Sequence, residues 1–179
     1  MDVSQSACEL AQDNIASAGI PLSSSLEIRQ KDLFDDDFWK SVGEAFRGPK
    51  LHNIISQQDC LQLDVVTANP PYIPMDQWVC LPAEVKDWED PVALMGDPFL
   101  PSGKEEPAAR NKGLTFYTRI RDLLSCPGVL SPQSILAFEV GDGQAADVVK
   151  IFDRGFGRAE VWKDWWGKER AVFIFGNKK

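Results

Sequence analysis

Residues 64 to 74 read DVVTANPPYIP, an apolar run that ends in an asparagine followed at once by two prolines and a tyrosine. The Asn69 side chain offers one carbonyl acceptor and one NH2 donor. Pro70 and Pro71 fix their own φ angles, and each holds the residue before it in extended geometry. The Pro70 carbonyl can therefore be aimed rigidly beside the Asn69 side-chain carbonyl. Two fixed acceptors match an incoming NH2 group, whose two hydrogens need two partners. Tyr72 adds an aromatic face for a planar substrate group. An amide or aromatic amine is a poor nucleophile because its lone pair is delocalised. Acceptors that hold both hydrogens favour the form with electron density on nitrogen and direct it at an electrophile. The chemistry expected is methyl transfer to a planar nitrogen, driven by orientation and electrostatics and not by a strong base. A bare strand-ending turn is the plainer alternative, since Asn and Pro are common there. The full Asn-Pro-Pro-Tyr on a β-branched strand is the more specific signal.

The remaining inventory narrows the choice. His52 is the single histidine and lies in a polar, unpatterned stretch, which disfavours a Ser-His-Asp hydrolase. Cys8, Cys60, Cys80 and Cys126 are far apart with no Cys-x-x-Cys pair, so reduced thiols are expected and a structural zinc site or disulfide framework is not. A net charge of -8 disfavours the phosphate-neutralising surface of a duplex-binding protein. Asp35 to Asp37 read as a solvated helix start, because adjacent helical residues do not share a face for a metal. No apolar run is long enough for a membrane span, and no signal-peptide pattern opens the chain.

Elements must position this tip. The opening residues predict a helix capped by Ser4, with Ala7, Leu10, Ala11, Ile15 and Ala18 on one face, ended by Gly19 and Pro21. Leu26 to Gln30 alternate like a short strand, which empties into a loop at Asp32. A short helix is expected around Phe38 to Phe46. Leu63 to Ala68 predict the strand that carries Asn69. The proline-rich, acidic stretch from 73 to 112 reads as one long loop, with an insertion at about 97–112. GLTFYTRIRDLLS predicts a helix, ILAFEV from Ile135 a buried strand, and Ala145 to Phe152 another helix. RAEVW and AVFIF read as an antiparallel hairpin joined by KDWWGKER. The whole implies a mostly parallel α/β sheet with one reversed edge strand, in a single unit over 1–179. The six tryptophans, Trp162, Trp165 and Trp166 among them, are expected to pack and to protect the sheet edge. Asp164 and Arg170 are expected to brace the hairpin.

Asn-Pro-Pro-Tyr after an apolar strand resembles the signature of S-adenosylmethionine-dependent amino-group methyltransferases, and the order of the other segments resembles the HemK type. DVSQSACELAQDN is similar to the segment after that family's second strand, whose acidic residue holds the cofactor ribose; this would be Asp2. KDLF is similar to the next loop, where Asp32 and Leu33 would border the adenine. EVKDWEDPVALMGD, GLTFYTRI, FEVGDGQ with Glu139, Gly141 and Gln144, and the terminal Asp164, Gly167 and Arg170 follow in the family's order. The resemblance implies a Rossmann-like methyltransferase fold and S-adenosyl-L-methionine as cofactor. It implies that Asn69 and the Pro70 carbonyl grip a substrate glutamine amide, with Pro71 shaping the tip, Tyr72 lining the pocket and Asn69 also bordering the cofactor. The implied substrate is the glutamine of the Gly-Gly-Gln motif of a peptide-chain release factor, met by a monomer inside the cell, in mitochondria if the source is eukaryotic.

The family's glycine-rich loop, first strand and N-terminal recognition domain would all precede Asp2. The chain accordingly reads as the C-terminal portion of such an enzyme, with weak or no catalysis expected in isolation. Two other readings compete. In the first, FEVGDGQAADVV is the cofactor loop of a permuted adenine-N6 methyltransferase of DNA or RNA, with Glu139 opening the loop and Glu160 on the ribose. In the second, the chain is a non-catalytic remnant that binds a partner.

Overall fold

The computed structural model describes residues 1–20, 26–40, 62–97 and 112–176. They belong to two compact units, Met1–Leu61 and Gln62–Lys179.

In the first unit, helix α1 spans Gln5–Ser17. Ser4 caps it as predicted, its hydroxyl accepting from the Ala7 N–H at 3.3 Å. Gly19 ends it with φ 67°, a conformation that glycine adopts without steric cost. The buried face is centred on Cys8, with Ala7, Ala11 and Ile15 half-buried, whereas Leu10 is exposed. The strand predicted for Leu26–Gln30 is reduced to one parallel bridge between Asp2 and Gln30. Asp2 N–H donates to the Arg29 carbonyl at 3.1 Å, and Lys31 N–H donates to the Asp2 carbonyl at 2.8 Å. A ladder runs only as far as both partners stay extended, and here the Asp2 side turns into α1 within three residues. Lys31 pairs with both Asp35 and Asp37 at 2.7 Å, so two of the three acids hold a lysine. Residues 38–40 are helical, and the rest of the helix predicted over Phe38–Phe46 lies outside the described residues.

The second unit is built on a four-stranded sheet of order β1-β2-β4-β3, with β1 at Leu63–Ala68, β2 at Leu130–Glu139, β3 at Arg158–Lys163 and β4 at Glu169–Phe175. β1 has the bounds predicted from its β-branched run. β2 pairs with β1 in parallel, and its ladder skips from Leu130 to Ile135 around Pro132, which has no N–H to donate. That detour places the strand's start five residues before the predicted Ile135.

β4 runs antiparallel to both β2 and β3. The reversed strand is therefore interior and not at the edge, because the second arm of the hairpin is the one that docks on β2.

The long loop predicted over 73–112 instead contains three one-turn helices, α2 (Met75–Trp78), α3 (Ala83–Lys86) and α4 (Pro91–Leu94). Pro74 and Pro82 stand at N-caps and Pro91 opens α4, so these prolines start helices as well as interrupt chain. Two longer helices, α5 (Thr115–Leu124) and α6 (Ala145–Phe152), present apolar faces to the sheet's core. Along β2 the residues Ser134, Leu136 and Phe138 alternate inward, and Val172 and Ile174 do so on β4. Phe138 packs on Phe152 in a tilted pair with ring centres 5.0 Å apart, and Phe152 meets Phe156 edge-on at 5.1 Å. This core fixes the carboxyl ends of β1 and β2 side by side.

Candidate functional site

β1 and β2 run in parallel up to the Ala68–Phe138 pair, so Asn69 leaves the sheet beside the turn that follows Glu139. Ligands of open α/β sheets bind at such carboxyl ends. Asn69 is exposed, and among the described residues its carboxamide has no hydrogen-bond partner. Pro70 is buried, while Pro71 and Tyr72 are half-buried. The motif thus anchors itself through its prolines and leaves its amide open to solvent.

What holds the motif lies far away in sequence. The Tyr72 carbonyl accepts from the Gln144 side-chain NH2 at 2.8 Å, and the same nitrogen donates to the Lys112 carbonyl at 2.7 Å. The Gln144 side-chain oxygen accepts from Gly141 N–H at 2.9 Å. Ile73 joins Met95 in a short parallel bridge, its N–H reaching the Leu94 carbonyl at 2.9 Å while its carbonyl accepts from Gly96 N–H at 3.0 Å. Asp97 closes the base of the predicted insertion: one carboxylate oxygen accepts from Gly113 N–H at 2.8 Å and the other from the Thr115 hydroxyl at 3.0 Å. The glycines are sterically required. A Cβ on Gly113 would lie 2.0 Å from the Tyr72 carbonyl oxygen, and one on Gly96 would lie 2.6 Å from the Gly113 Cα.

Two tyrosines and Glu139 form the polar floor. Tyr117 donates to the Glu139 carbonyl at 2.7 Å, and burial first, with Tyr72 and Glu139 adding to it, pushes its phenol far above the usual range. Tyr72 lies with its hydroxyl 3.4 Å from a Glu139 carboxylate oxygen. Burial, then the Glu139 charge, raises its pKa against the opposing pull of Arg170, so Tyr72 is a neutral phenol at physiological pH. Arg170 is held by Asp164 at 3.2 Å, and Asp164 also accepts from Trp166 and Lys168 N–H, which is the bracing role expected of this pair.

The remaining predicted residues, Asp2, Asp32 and Leu33, belong to the first unit. Asp2 and Asp32 are exposed, and each gives one carboxylate oxygen to a nearby backbone N–H, of Ser4 at 2.8 Å and of Phe34 at 2.9 Å. Among the described residues the second oxygen of each stays available to a hydroxyl or amine donor. That donor chemistry fits the ribose and adenine contacts implied for them. Among the described residues no cluster of His, Cys, Asp and Glu could hold a metal ion.

Two expectations need correction. The glycine turn in FEVGDGQ is filled from within: Gly141 N–H is spent on Gln144, and a Cβ there would lie 2.7 Å from the Gln144 oxygen. This is not the open amide cradle that a permuted cofactor loop requires, and Glu160, its supposed ribose ligand, pairs with Arg158. Trp162 does pack on Phe173, at 4.5 Å, but Trp165 and Trp166 at the hairpin turn are 98% and 84% exposed, so they protect no edge. Sequence reading left Gln144, Asp97 and Gly113 without a role. The one local signal was a glutamine directly after a Gly-x-Gly turn, a long amide side chain where a small N-cap would be expected.

No family model matches the chain. It is 41% identical over 114 residues to the release factor glutamine methyltransferase of Bacillus cereus, an alignment covering 63% of this chain and 35% of that protein. It is 26% identical over 171 residues to the release factor glutamine methyltransferase of Chlorobaculum tepidum, covering 96% of this chain and 46% of that one. The chain thus spans between about a third and a half of the length of these relatives. A solved structure of a release-factor-specific protein-(glutamine-N5) methyltransferase from Alicyclobacillus acidocaldarius is 30% identical, with a TM-score of 0.31 and coverage of 46% of this chain and 45% of that one. The resemblance read from the Asn-Pro-Pro-Tyr motif and the segment order is borne out by the similarity to the two bacterial relatives.

Proposed function

We propose that the Asn69–Tyr72 tip receives the side-chain amide of a glutamine and holds it for methylation on nitrogen, the protein substrate being a peptide-chain release factor. The observation that carries this reading is an exposed carboxamide with no partner among the described residues, set on a backbone clamped three and four residues later. An isolated surface asparagine needs no such scaffold. The Asn69 carbonyl and the Pro70 carbonyl accept the two amide hydrogens, and Tyr72 offers its ring to the flat amide while its phenol stays neutral. Holding both hydrogens orients the nitrogen without a base, which suits a tip with no His, Cys or Lys. S-adenosyl-L-methionine is the methyl donor this reading implies, and when bound it would supply an electrophilic sulfonium methyl.

The test is labelled methyl transfer to a release factor by the parent and by Asn69→Ala. Turnover of the variant is expected to fall about 10²- to 10³-fold, the scale of losing one preorganised polar contact at a reacting centre. Cofactor affinity by titration calorimetry should stay within about twofold, since uniform binding is untouched. Parent-like turnover in Asn69→Ala would remove the proposed role. Absence of any S-adenosyl-L-methionine binding by the parent would favour a non-catalytic partner-binding chain.

A further inference from the structure

We infer that Gln144 is a positioning residue, whose side-chain amide locks the Tyr72 end of the tip so that Asn69 and the Pro70 carbonyl keep one orientation; this rests on the function proposed above. Gln144 is 8% exposed and stands at the N-cap of α6, yet its side chain makes no capping bond. It turns away from the helix and spends both amide hydrogens and its oxygen elsewhere. One amide hydrogen goes to the Tyr72 carbonyl, the other to the Lys112 carbonyl, and the oxygen takes the Gly141 N–H. Two carbonyls demand the NH2 and one N–H demands the oxygen, so the amide can sit only one way round. The missing side chains of Gly113 and Gly141 make room for it, since a Cβ at either would crowd Gln144 to 2.8 Å or 2.7 Å.

The lock acts at a short distance through a stiff chain. Between Asn69 and Tyr72 lie only Pro70 and Pro71, whose φ angles are already fixed. Few free torsions remain, so fixing the Tyr72 carbonyl carries back to the Asn69 amide. A wandering tip would present its acceptors in many directions, and alignment is what this chemistry uses.

Gln144→Glu and Gln144→Leu test the assignment. Glutamate keeps the shape but sets carboxylate oxygens against two carbonyls. Burial and these acceptors raise its pKa, so the carboxyl takes up a proton as pH falls and regains one O–H donor. In both variants the Ile73 and Gly96 amides are expected to exchange with solvent about tenfold faster or more, while Phe138 and Val172 amides in the sheet stay within about twofold. Lowering the pH should restore protection and methyl transfer in part for Gln144→Glu and not for Gln144→Leu. Turnover at neutral pH should fall at least about tenfold in both, with KM for the cofactor within about threefold. Uniformly faster exchange in tip and sheet would reduce Gln144 to a general stabiliser and overturn the inference, as would unchanged tip exchange or unchanged kcat. A parent that transfers no methyl counts against the proposed function, while the exchange pattern still decides whether Gln144 orders the tip.

Discussion

Replacing Gly113 by alanine probes how tightly the tip is seated, and Gly143 supplies its control. Both glycines have positive φ, +69° and +80°, so alanine at either meets a similar backbone cost of about 1 kcal/mol. Their surroundings differ. A Cβ at Gly143 meets nothing within 4 Å, whereas one at Gly113 falls 2.0 Å from the Tyr72 carbonyl oxygen, against the 3.4–4 Å of ordinary contact. Tyr72 must then retreat by more than an ångström, which breaks its 2.8 Å bond from Gln144 and costs about 1 kcal/mol more, with residual crowding on top. The sum is about 2–3 kcal/mol for Gly113→Ala and about 1 kcal/mol for Gly143→Ala. For a chain of this size each kcal/mol lowers Tm by about 2–4 °C, so shifts of about 4–12 °C and 2–4 °C are expected in a thermal melt followed by circular dichroism. Equal shifts in the two variants would mean that Tyr72 does not pack on Gly113, and the clamp described above would be wrong.

Asp97→Ala leaves the buried Gly113 N–H without its carboxylate partner and should cost about 2 kcal/mol, read as a lowered urea midpoint with unchanged slope. Asp164 is pushed up by desolvation but pulled lower overall by the Lys168 N–H, Arg170 and the Trp166 N–H. With its folded pKa depressed, it stabilises the hairpin turn above the ordinary carboxylate range and loses that effect as pH falls through the folded value. Protection of the Trp166 and Lys168 amides, measured relative to their intrinsic exchange rates, should fall on acidification in the parent and show no such step in Asp164→Asn. Trp165→Ser and Trp166→Ser, at sites almost wholly in water, should leave Tm within about 1 °C; a larger drop would show that these rings are packed.

Sequence alone determined what local rules govern. Ser4 caps α1 because its hydroxyl reaches an N–H three residues on. Leu63–Ala68 form a strand because a β-branched run is bounded by turn residues, and the last two strands pair because a short turn joins them. The chemistry proposed for Asn-Pro-Pro-Tyr was legible in the same way, since four adjacent residues carry the acceptors, the fixed φ angles and the ring. Tertiary structure alone decided what stiffens that tip. Gln144 lies 72 residues from Tyr72 and 32 from Lys112, and Asp97 lies 16 from Gly113. No periodicity announces a hydrogen bond across such separations; it arises only when the β1–β2 pairing brings two loops together. The same holds for the interior place of β4, because the hairpin pattern fixes which strands pair with each other but not which arm meets the sheet. Proline was ambiguous for a related reason: its fixed φ suits a loop and the first turn of a helix equally, and only the surrounding packing chose helices at 75, 83 and 91.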